Sequence, residues 1–203
     1  MPISYALTTK ERVKAKLEIT ASNQDTTIDR LIASVTDFIE SKCNRRFLRT
    51  TYTQEIYDGT NVDGTPKQSL ILNNGPLVSI SQFQYRTGLK SSPVWVDFVV
   101  DDYQEIKRLG VITLTLPSGF ENIRISYTAG YLIDFTNEFD SALHTLPHEL
   151  TDLAERLVIR FFKKRESEGR SIETFQGSTT TWKEFLETLD NEVIANHSRY
   201  IFA

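Results

Sequence analysis

From Thr27 to Phe47 a single period explains every apolar residue: Ile28, Leu31, Ile32, Val35, Ile39 and Cys43 recur at three- and four-residue intervals, with Asp29, Arg30, Asp37, Glu40 and Lys42 elsewhere on the wheel. The pattern predicts an amphipathic helix opened by Asp25 or Thr26. Burying a large apolar side chain contributes roughly 1.5–3 kcal/mol, and fixing one residue's backbone costs about 1–2 kcal/mol, so this stripe needs a partner. Leu150, Leu153, Ala154, Leu157, Val158, Phe161 and Phe162 repeat the rhythm after Leu146-Pro147, with proline placed to start a helix. A shorter leader helix, capped by Thr8 or Thr9, precedes both.

Between the two stripes the period drops to two. Thr50–Tyr57, Ser69–Leu72, Val78–Arg86, Pro93–Val100, Val111–Leu116 and Asn122–Tyr127 read as strands, separated by turns such as Asp58-Gly59, Asn73-Asn74-Gly75-Pro76 and Pro117-Ser118-Gly119. Short strands with close turns imply an antiparallel meander, ending where Gly130 lets the chain change direction. Residues 133–145 read as a loop with a helical turn, and 166–181 as a mobile loop without hydrophobic rhythm. Trp182, Phe185, Leu186, Leu189, Val193 and Ile194 restore a helical stripe. The expected fold class is α+β: a small helical bundle (1–48 with 146–203) carrying an inserted antiparallel β-rich region (49–131) between its two long helices, with 132–145 as a connection.

Hydrophobic content of 39%, charged content of 25% and aromatic content of 11% over 203 residues describe a folded chain with a real core. A net charge of −4 gives no bulk reason to grip DNA or an anionic membrane. No apolar run nears the roughly 20 residues of a membrane span, and the start, Met1-Pro2-Ile3-Ser4, lacks a signal-peptide pattern, so synthesis and retention in the cytosol are expected. The lone cysteine, Cys43, lies on the apolar stripe and reads as a core thiol. Two cationic runs stand out: Arg45, Arg46 and Arg49 after the first long stripe, and Arg156, Arg160, Lys163, Lys164 and Arg165 toward the end of the second. Such runs complement a helix dipole, or they contact phosphate or another anion.

Catalytic chemistry has little to work with. His144 and His148 are four apart, but Pro147 denies them a shared helical face; Asp97, Asp101 and Asp102 lack the glycine-spaced frame of a calcium loop. There is no Gly-x-Ser-x-Gly elbow and no glycine-rich phosphate loop, so no enzyme, cofactor or metal is expected.

The order of the pieces carries a resemblance. A leader ending near Leu17-Glu18-Ile19 is followed by the helix with Ile28-x-x-Leu31-Ile32 and its Cys43-Asn44-Arg45-Arg46-Phe47 end. Then come Tyr57-Asp58-Gly59, Leu70-Ile71-Leu72 with Pro76-Leu77-Val78-Ser79-Ile80, Tyr127-Thr128-Ala129-Gly130-Tyr131, and Leu146-Pro147 with a long helix. From about Leu7 to Glu168 this resembles the head-tail connector (adaptor, or head-completion) proteins of long-tailed double-stranded DNA bacteriophages and prophages. The resemblance implies a structural virion protein, made in the bacterial host cytoplasm and located at the head-tail junction. About a dozen copies would ring the portal protein, extend the channel through which DNA passes, and present a surface to the tail or stopper. A tail-completion or stopper protein is the alternative within the virion, and a non-viral protein-binding module lies outside it. The apolar terminus Tyr200, Ile201 and Phe202 either completes its own core or, as the resemblance implies, docks on the portal. Arg45, Arg46, Arg160, Lys163, Lys164 and Arg165 are the corresponding candidates for the channel or an interface.

Overall fold

The computed structural model describes residues 5–89, 91–166, 173–175, 178–180 and 188–198. The chain divides into a helical unit, Met1–Asn44 with Asp134–Ser198, and a β unit that includes Arg45–Ile133.

In the helical unit, α1 (Lys10–Leu17) starts at Thr9, whose side chain accepts from the Arg12 N–H. It stops at Glu18, which adopts φ 57° while the Ile19 N–H closes back onto the Lys14 carbonyl. α2 (Asp25–Cys43) buries Ile28, Ile32, Val35, Ile39 and Cys43. It packs against α3 (His148–Glu166), which contributes Leu150, Leu153, Ala154, Leu157 and Val158. α1 touches both, and so does α4 (Thr188–His197). The segment before α1 is tied down by Leu7, whose N–H donates to Thr36 Oγ1 at 3.2 Å, and by the Tyr5 hydroxyl, which donates to the buried Glu40. Between α3 and α4, β8 (Glu173–Phe175) and β9 (Ser178–Thr180) pair antiparallel within the stretch where the sequence predicts only a loop. Trp182, Phe185 and Leu186, expected to begin the last helix, lie outside the described residues.

The β unit holds two antiparallel sheets. The larger comprises β1 (Thr50–Tyr57), β7 (Ile123–Ala129), β3 (Leu77–Leu89) and β4 (Ser92–Asp97), in the order β1-β7-β3-β4. The smaller comprises β2 (Ser69–Ile71), β6 (Val111–Thr113) and β5 (Gln104–Ile106), in the order β2-β6-β5. Leu70 and Ile112 from the smaller sheet pack with Leu77, Phe83, Ile123, Ile125, Tyr127 and Ala129 from the larger. Both neighbours of β7 are remote in sequence, so the predicted meander is corrected: the strands are antiparallel, but β7 inserts between β1 and β3. Its burial explains why. Ile123, Ile125, Tyr127 and Ala129 are all buried, so β7 is best satisfied at the centre of the sheet, where both of its backbone edges are paired. Gly130, at φ 104°, ends it; a Cβ there would come within 2.7 Å of the Leu48 carbonyl oxygen.

The expected architecture of a small helical bundle with two long helices and an inserted sheet is therefore overturned. Among the described residues there are four short α-helices, of 8, 19, 19 and 10 residues, and the two larger sheets form a compact unit with its own aromatic-rich core. The chain is mixed α+β. An amphipathic stripe reports that a face is buried without reporting how little helix is needed to cover it.

Candidate functional site

The six cations singled out in the sequence fall into both units, and the structure sorts them by what they touch. Arg45 is half-buried, with its guanidinium 5.2 Å from the Phe47 ring centroid and 3.4 Å from the Gly75 carbonyl. Arg46 is exposed; its backbone N–H donates to Asn74 Oδ1 at 3.1 Å. In the helical unit, Arg160 pairs with the buried Asp190, and Arg165 lies over Phe162 at 4.7 Å while donating to Gln24 Oε1 at 3.2 Å. Lys163 and Lys164 are exposed. Arg45, Arg160 and Arg165 thus have structural partners, whereas Arg46 and Lys163 present their charge to solvent. Tyr200, Ile201 and Phe202 lie outside the described residues.

A charged cluster that sequence reading did not identify joins α1, α3 and α4. Glu155, 1% exposed, accepts from Thr8 Oγ1 (3.1 Å), Arg12 Nε (2.5 Å) and Lys16 Nζ (2.6 Å). Burial alone would raise its carboxyl, but hydrogen bonds from Lys16 and Arg12 and their positive charge outweigh that, and the group is held below its ordinary value. Lys16 also reaches Asp152 at 2.9 Å, and Arg156 bridges Asp152 (3.3 Å) to Asp190 (3.2 Å). Arg12 extends the other way to Glu138 at 2.5 Å. Spacing alone gives no sign of this arrangement, because Arg12 and Glu155 are 143 residues apart.

In the β unit, Glu55 is the hub of a second polar group. Its Oε2 accepts from the Tyr57 hydroxyl (2.6 Å), the Tyr127 hydroxyl (2.8 Å) and Asn73 Nδ2 (3.3 Å). Burial, with the neighbouring carboxylate, pushes both phenols well above their usual range, so they stay protonated donors. A groove of about 430 Å³ nearby is lined by Tyr57, Asn61, Lys67, Gln68, Ser69, Leu70 and Ile71. Its lining is mixed and brings no acid-base pair together.

The larger sheet has distinct faces and two open ends. Tyr52, Tyr85, Val94 and Val96 share the core side, whereas Thr51, Gln84, Trp95, Asp97 and Arg124 lie on the other, where Arg124 packs on Trp95 at 4.3 Å and donates to Gln84. At the ends, β4 and β1 have no further strand among the described residues. Val94 (57% exposed) and Val96 (37%) are open to solvent on β4.

The isolated candidates have ordinary surroundings. His144 is buried and its Nδ1 lies 3.1 Å from the Asp134 backbone nitrogen, while His148 is exposed, 3.5 Å from Glu138. The buried Cys43 thiol lies 3.6 Å from the Ile194 carbonyl, at the α2–α4 contact.

The helical unit thus holds a buried charge cluster, and the β unit a sheet whose end strands have no further neighbour among the described residues. A model of the head completion protein family (HCP) matches residues 6–201, and the chain belongs to that family. Among solved structures, its fold is similar to a chain in the "Neck of empty GTA particle computed with C6 symmetry", at 11% identity and a TM-score of 0.51, covering 95% of this chain and 90% of that one. It is likewise similar to a chain in the "Virion of native gene transfer agent (GTA) particle", at 9% identity and a TM-score of 0.50, with the same coverage. Among curated proteins, none matches the sequence.

Proposed function

We propose that this protein is a head-tail connector of a phage or phage-like particle: copies bind the portal as a ring, extend the DNA channel, and offer the surface on which the tail or stopper docks. The observation that carries this reading is the head completion family match across residues 6–201. The fold's likeness to a neck component of a C6-symmetric particle supports the ring. Its role is structural. Net charge of −4 keeps a channel wall weakly adhesive to passing DNA, with the exposed Arg46, Lys163 and Lys164 as cations that meet phosphate or a neighbour. The chain is made in the host cytoplasm and ends in the virion. Tyr200, Ile201 and Phe202 serve as an apolar anchor on the portal.

Deleting the gene from its particle-producing host tests the role: DNA-filled heads without tails are expected, and normally tailed particles would overturn it. Deleting Tyr200–Ala203 tests the anchor separately. The truncated chain should melt at the wild-type temperature yet fail to co-sediment with portal-bearing heads; destabilisation with retained binding would refute docking by this segment.

A further inference from the structure

Building on the connector reading, we propose that neighbouring copies join through Phe139, which seats on the apolar face of the β3–β4 hairpin of the next copy.

The residues around Phe139 hold it outward. Glu138 is drawn in by Arg12 at 2.5 Å and by His148 at 3.5 Å. The Asp140 N–H donates to the Asn137 carbonyl at 2.9 Å, and the Leu143 and His144 N–H groups both donate to the Asp140 carbonyl, at 3.0 and 2.8 Å. On this closed turn Phe139 is 95% exposed. A backbone so fixed presents the ring with no further ordering of the turn, and aromatic side chains are favoured interface anchors.

The matching surface lies on the β unit. β7 accompanies β3 only as far as Tyr85, opposite Ile123, whereas β4 follows it on to Leu89, opposite Ser92, so the hairpin projects beyond the rest of the sheet. The Phe98 N–H donates to the Phe83 carbonyl at 2.9 Å in the same register, so by strand alternation Val96, Val94 and Leu89 lie on the face that Phe83 turns to the core. That face starts in the core and leaves it: Phe83 is 4% exposed, Val96 37%, Val94 57% and Leu89 74%. Its other members beyond the core, Tyr85, Thr87 and Ser92, carry no charge, so it suits an apolar knob.

Charge selects how the two surfaces combine. With Glu138 matched by Arg12, residues 134–140 keep Asp134 and Asp140 and have no base, whereas residues 84–95 carry Arg86 and Lys90 and no acid. Two turns brought together repel, and so do two hairpins, but turn on hairpin attracts. Both surfaces stand exposed in the same chain, so each copy that offers Phe139 to one neighbour still offers its hairpin to another. Such a contact is heterologous, the kind that closes into a ring.

Photo-cross-linking in the full-length chain tests this. With p-benzoylphenylalanine in place of Phe139, irradiation of a concentrated mixture of isotope-labelled and unlabelled chains should join position 139 of one copy to residues 87–96 of another, as located by mass spectrometry. Adding Val94→Asp, at an exposed site, should cut the yield roughly tenfold, and mixing in a Phe139→Ala chain whose hairpin is intact should restore cross-linking, to that chain alone. Lys90→Glu should lower the yield about threefold. Circular dichroism verifies that each variant is folded. The proposal is overturned by folded chain that gives no link between copies, by links within one chain or at another surface, by a yield indifferent to Val94→Asp or Lys90→Glu, or by links only to a different virion protein. A chain that enters particles without this link defeats the contact and spares the connector role; the link in a chain that never enters particles does the reverse.

Discussion

Glu155 shows what a single residue contributes and why its contribution is hidden in the sequence. It follows Ala154 within a stripe of buried positions, and a carboxylate there is tolerated only because Thr8, Arg12 and Lys16 converge on it from α1 and the residues before it. Replacing it by Gln leaves two cations without their shared carboxylate charge and should lower unfolding stability by about 3 kcal/mol, measurable by urea denaturation at neutral pH. The pH dependence follows from the sign of the shift. Its folded value lies below the group's ordinary value of 4.5, so its stabilisation is complete above that unfolded value and is lost as pH falls through the lower folded one. Wild type should therefore lose melting temperature more steeply than Glu155→Gln on acidification from pH about 5 to 3; parallel curves would show that the ion cluster contributes no linkage. The sequence offers α3's cations to the helix dipole or to an anion. Lys163 and Lys164 are indeed exposed, but Arg160 and Arg165 are engaged by Asp190 and Gln24, partners that only the tertiary fold supplies.

At the level of elements, local periodicity located much of the structure because each signal is local. The stripe at Ile28, Ile32, Val35 and Ile39 is buried, β1 spans the predicted Thr50–Tyr57, and Gly130 ends β7. Strand order was not legible: β1 meets β7 across some seventy intervening residues, and no property of Thr50–Tyr57 names that partner. β5 was missed because three residues are too short to establish a period, and the bulge in β1, where Gln54 adopts φ 54° and donates its N–H to Ser126 Oγ, adds a residue that alternation cannot anticipate. Packing of α2 on α3 was legible, since two apolar stripes in one short chain must be covered. Ile32→Asp or Leu157→Asp would place an unpaired charge at a site 5% or 0% exposed. Loss of burial together with charge desolvation consumes most of an ordinary stability of about 5–15 kcal/mol. Both variants should be unfolded or molten by near-ultraviolet circular dichroism; wild-type melting in either would refute the pairing of these helices.

For the whole molecule, the balance between attraction and repulsion sets when copies should assemble. Each carries a net charge of −4, so bringing many together accumulates repulsion that solvent and salt only partly screen. Against this, ion pairs between copies at solvent-exposed margins contribute only about 0–1 kcal/mol each. A contact this modest becomes effective only when a template holds copies side by side and raises their effective concentration. The purified chain should therefore sediment as a 23.3 kDa monomer at micromolar concentration in physiological salt, and form rings on DNA-filled heads that bear the portal. Sedimentation velocity across a concentration series, followed by imaging of heads with and without added chain, measures both halves. A stable ring in free solution would refute templating while leaving the connector role intact, because it would mean that the subunit interface outweighs the accumulated charge unaided.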